Sequence, residues 1–126
     1  MDTQQARAVY ELMMITAWAD GRLEMTETLV TEAVIAEVPE LLKLPDKDQI
    51  STRAREQLRR LGLRPALEAA AASLGEAWHR ELAFTCCARV LEADGIIAQE
   101  EFSVLVELRK IFGLRSEDVT RLLKKA

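Results

Sequence analysis

The sequence predicts an all-α fold, a single domain over residues 1–126 of about seven helices. Three observations predict it. Apolar residues recur every three or four positions along most of the chain, and no segment alternates with period two for long enough to make a strand. The five glycines and three prolines are too few for a loop-rich all-β fold. They also fall between the periodic segments, where helices need to stop. With 126 residues, 49% of them hydrophobic and 30% charged, the chain can bury about two thirds of its unfolded surface. Neither a metal nor a disulfide is needed to hold such a domain.

Asp2 or Thr3 caps a first helix running to about Asp20, with Ala6, Val9, Met13 and Ala17 on the buried face and Tyr10, Met14 and Trp18 beside them. Gly21 follows where a left-handed C-terminal cap wants no Cβ. A second helix is expected from about Met25 to Val38, stopped by Pro39. "PELLKLPDKDQ" reads as a short helical turn, after which Asp46 or Asp48 starts a polar helix through "ISTRAREQLRRLG" to Gly62. Pro65 is tolerated in the first turn of the alanine-rich "ALEAAAASLG" helix, closed by Gly75. From Glu76 to Asp94, Trp78, Leu82, Cys86 and Val90 form one apolar row, and Ala83, Cys87 and Leu91 form another. Gly95 ends that helix. The next spans about Gln99 to Phe112, with Phe102, Leu105, Val106, Leu108 and Ile111 inward, and stops at Gly113. Ser116 then caps a last helix, with Glu117 and Asp118 in its first turn and Lys124 and Lys125 near its end, as the helix dipole favours.

Within this pattern one stretch occurs twice. "ADGRLEMTE" from Ala19 returns as "ADGIIAQEE" from Ala93, an offset of 74 residues. At that offset Ala19, Asp20, Gly21, Leu23, Glu27, Val30 and Val34 face Ala93, Asp94, Gly95, Ile97, Glu101, Val104 and Leu108. Two helix–Asp-Gly turn–helix units that cannot bury their apolar faces alone are expected to pack together about a pseudo-two-fold axis. Both motifs, the apolar residue after each, the glutamate seven positions after each aspartate, and the tail "IFGLRSEDV" resemble the TerB-like, tellurite-resistance family. Many members carry a serine or similar cap four positions after the motif aspartate; this chain has Glu24 and Ala98 there. The resemblance implies a non-enzymatic module of stress response or tellurite resistance. It further implies protein partners, some in membrane-associated assemblies, and an acidic, metal-binding surface at the motifs.

Two readings of the acidic residues stand side by side. In one, Asp20 with Glu27, and Asp94 with Glu101, offer hard oxygen ligands to a divalent cation such as calcium or magnesium. In the other, Glu27 and Glu101 sit at the third position of their helices and reach back to cap them, while Asp20 and Asp94 accept hydrogen bonds from turn amides. That second reading describes a purely structural interaction domain or homodimer. An ordinary EF-hand is excluded: with the glycines at loop position six, the first and third positions fall on Thr16 and Trp18, and on Val90 and Glu92.

Other chemistry finds little support in the sequence. His79 is the lone histidine, which speaks against zinc and against a His-based catalyst, and its place beside Trp78 reads as a boundary position. The adjacent Cys86 and Cys87 diverge on a helix and read as small core residues. A net charge of -4 argues against nucleic acid. "STRAREQLRR" is the local candidate for an acidic partner. The opening "MDTQQARAVYELMM" lacks the pattern of a signal peptide, and no run approaches a membrane span. A reduced, cytoplasmic setting without direct membrane insertion is expected.

Overall fold

The computed structural model describes residues 1–19, 25–92 and 99–125. Among them are eight helices and no strand: α1 (Thr3–Trp18), α2 (Met25–Glu37), α3 (Pro39–Leu42), α4 (Lys47–Leu61), α5 (Leu63–Ala71), α6 (Ala77–Leu91), α7 (Gln99–Phe112) and α8 (Ser116–Lys125). The short turn after Pro39 is a helix of its own. None of the described helices is long and apolar enough to cross a membrane.

Helix α1 is the axis of the fold. Its sequence is apolar on nearly every side, and ten of its 16 residues are buried, which is what an all-round apolar helix requires. It packs against α4, α5, α6 and α3, while α6 packs against α1, α2, α7 and α8 and α5 touches α7. The α1–α6 pair thus has α3, α4 and α5 on one side and α2, α7 and α8 on the other. Leu12, Met13, Ile15 and Phe84 are fully enclosed between them, and each such side chain contributes about 1.5–3 kcal/mol relative to exposure. The start of α1 is fixed by a capping box. The Gln5 backbone N–H donates to the Asp2 carboxylate at 2.8 Å, and the Asp2 N–H donates to Gln5 Oε1 at 2.9 Å.

The glycine stops are structural where they can be seen. Gly62 has φ 86 and serves both neighbours: its N–H donates to the Leu58 carbonyl at 3.0 Å, and its own carbonyl accepts from Ala66 at 3.1 Å. Gly113 has φ 67, and the bonds Gly113 N–H to Lys110 and Leu114 N–H to Arg109 complete the double-bonded left-handed cap of α7. The stops expected at Gly21 and Gly95 lie outside the described residues.

Several expectations are corrected. Helix α5 ends at Ala71, short of Gly75, because the chain tightens into a turn in which Leu74 N–H donates to Ala71 at 2.9 Å and the Leu74 side chain enters the core. Arg80 Nε donates to the Leu74 carbonyl at 2.7 Å and closes that turn. Trp78, expected inward, is 54% exposed, and His79 takes the inward place at 3%. The cause is helical drift. A row at spacing four rotates about 40° per step, so the far end of the Trp78–Leu82–Cys86–Val90 row leaves the buried arc. Ser116 opens α8 but is not its cap. Asp118 accepts from the Arg115 N–H at 3.0 Å, while Ser116 Oγ accepts from Arg109 at 3.2 Å.

Candidate functional site

The expected acidic site falls largely where the structure is silent. Asp20 and Asp94 lie outside the described residues, as do the side chains of Glu27 and Glu101. The backbone does fix two things about them. Glu27 and Glu101 are the third residues of α2 and α7, the position from which a glutamate can cap its own helix. The two helices that lead into the motifs also pack on each other: the Thr16 side chain lies near enough to the Cys87 thiol to oppose the rise of its pKa, while the Thr16 hydroxyl donates to the Leu12 carbonyl at 2.8 Å. Thr16 and Cys87 stand four positions before Asp20 and seven before Asp94. Beyond them Arg89 of α6 forms a two-pronged ion pair with Glu37 of α2, its Nη2 arm at 3.3 Å. Arg89 holds the Glu37 carboxyl below its ordinary range.

Among the described residues, no group of three or more His, Cys, Asp and Glu side chains could hold a metal ion. Cys86 and Cys87 are free and buried, as core residues should be, and burial pushes both thiols up to about 12. His79 is not the boundary residue its sequence neighbours suggest. It is buried against Trp78, ring centroids 4.0 Å apart, and neither ring nitrogen has a hydrogen-bond partner among the described residues.

The basic helix α4 is mostly engaged with its own surroundings. Arg59 pairs with Glu56 at 3.0 Å, Arg60 with Gln57 at 3.3 Å, and Arg55 stacks 4.9 Å above Trp18, whose Nε1 donates to Ser51 at 3.4 Å. Arg53 is different. It points into a cleft of about 390 Å³ between α1, α4 and the end of α5, facing Glu11 and Arg7 across a lining that includes Ala69, Ala70 and Ala72. Arg7 is held by Asp46 at 3.1 Å. Arg53 and Glu11 make no hydrogen bond or ion pair with any described residue, yet they sense each other. Burial raises the Glu11 carboxyl above its ordinary range, and the Arg53 charge opposes that rise. Local spacing could not reveal this cleft, because its charges come from separate helices and only the packing of α1 on α4 and α5 gathers them.

The fold and cleft together define an all-helical domain with a polar cleft between α1, α4 and the end of α5. Compared with models of known protein families, with curated proteins and with solved structures, the chain finds no significant match.

Proposed function

We propose that this chain is a non-enzymatic, TerB-like module of stress response or tellurite resistance, working in the cytoplasm. It binds protein partners, and a divalent cation at its paired Asp-Gly turns. The observation that supports this most is one of register. Helices α1 and α6 begin 74 residues apart, and so do α2 and α7, the same offset that separates the two motifs. Burial follows that offset at seven of the ten buried positions of α1. Val9, Tyr10, Leu12, Met13, Met14, Thr16 and Ala17 correspond to Ala83, Phe84, Cys86, Cys87, Ala88, Val90 and Leu91, and all are buried. The packing of α1 on α6 adds that the two helices leading into the motifs lie side by side. A pseudo-two-fold arrangement of the two units belongs to this reading; against strict symmetry, both α2 and α7 pack on α6.

The third-residue placement of Glu27 and Glu101 favours a second reading, in which the acidic motifs only cap helices and the module is a structural or self-associating one. Melting of metal-stripped protein, with and without calcium, magnesium or manganese, separates the two. An ion at about 100 times its dissociation constant adds about 2.7 kcal/mol, a shift on the order of 10 °C for a domain of this size. The metal reading expects that shift, and expects it to vanish in Asp20→Asn/Asp94→Asn. No shift with any ion, together with a lower melting point for the double variant, leaves the capping reading.

A further inference from the structure

The cleft between α1, α4 and the end of α5 contains a charge arrangement that the proposed module does not use. Arg53 and Glu11 are opposite charges on different helices, directed into one cavity of about 390 Å³, and they are not in contact. Opposite side chains on a free surface gain little by pairing. Here each lines the cleft from its own helix, and the cleft is large enough for a small organic molecule. Arg7 also lines the cavity, with one arm of its guanidinium held by Asp46 at 3.1 Å. The lining includes Ala69, Ala70 and Ala72, whose side chains are single methyl groups, so an aliphatic body can lie close to α5 and the turn that follows it.

We propose that this cleft binds a small zwitterion of the amino-acid class, its carboxylate taken by Arg53 and its ammonium by Glu11. The guanidinium fork matches a carboxylate in two hydrogen bonds, and a carboxylate facing it at a distance selects a ligand that carries the complementary cation at the other end. A simple anion satisfies Arg53 but repels Glu11. A simple amine does the reverse.

The test is an NMR titration of the full chain with L-leucine, L-alanine and L-glutamate, following the Arg53 side chain and the backbone amides from Ala69 to Ser73. Two analogues of leucine serve as controls: 4-methylpentanoate, which lacks the ammonium, and 3-methylbutylamine, which lacks the carboxylate. At least one amino acid is expected to give saturable shifts at these signals. Where that ligand is leucine, both controls bind at least about tenfold more weakly, the loss of one charged contact. Arg53→Gln and Glu11→Gln each weaken binding by a similar factor, and Ala69→Leu, an exposed position that fills the cavity, abolishes it while the protein remains folded. The absence of saturable shifts at about 10 mM ligand, beyond the millimolar range of the weakest specific binding, overturns the proposal. So do controls that bind as well as leucine, or binding unchanged in Arg53→Gln. None of these outcomes depends on the Asp-Gly turns, so the failure of either idea leaves the other standing.

Discussion

At the scale of single residues, burial decides the chemistry more firmly than residue type does. The two cysteines are adjacent, but with both thiols pushed up to about 12 they hold almost no thiolate at neutral pH. Native protein is therefore expected to react slowly with a thiol reagent such as dithionitrobenzoate, and both cysteines to react promptly once urea unfolds it; fast native labelling would mean that α6 opens readily. Their role as core residues was legible in the sequence, since small apolar side chains at spacing four admit few other readings. The exchange of Trp78 and His79 was not. A tryptophan next to a histidine at a helix start is strongly biased toward the core by hydrophobicity, and only the exact phase of the helix turns the indole out, where its Nε1 donates to Glu76 at 3.1 Å. One residue of phase is finer than the apolar pattern of α6 resolves.

At the scale of elements, caps carried most of what could be read in advance. Asp2, Gly62 and Gly113 stand where the sequence puts helix boundaries, because each is required by an unsatisfied backbone group or by a positive φ. The start of α8 shows the limit. A serine there reads as a cap, yet the carboxylate three residues after Arg115 makes the bond instead. That bond gives the cap a pH dependence. The Arg115 backbone N–H, with help from the Arg121 and Arg115 side chains, holds Asp118 below its ordinary range. A group depressed in the folded state stabilises above its unfolded pKa and loses that contribution as pH falls through the folded one. Asp118→Ala should therefore melt below the parent protein at pH 7, with the gap closing as the solution is taken below the ordinary carboxylate range. Melting curves across that range check it, and a gap that persists in acid would count against the cap. The early end of α5 was illegible for another reason: Leu74 leaves the helix to fill the core, a tertiary demand that no local rule contains.

For the molecule as a whole, the all-helical class followed from periodicity and the scarcity of glycine and proline, and the order of elements from where those residues fall. The acidic motifs were legible as a pattern but not as a site, because a carboxylate in a turn serves a cap and a cation with the same atoms. The α1–α4–α5 cleft was illegible altogether, since Glu11, Arg53 and Ala72 belong to three different parts of the chain. The central placement of α1 has one more consequence. This helix is made before α4, α5 and α6, which supply the surfaces that enclose it. A chain growing from the ribosome therefore carries a helix with ten residues destined for burial and nothing to cover them until residues as late as Leu91 have emerged. Chaperones that hold nascent apolar segments should engage it during that interval, and a fragment ending at Gly62 should aggregate or stay unfolded. A soluble, cooperatively melting fragment would show that α1 can find shelter among the first four helices alone.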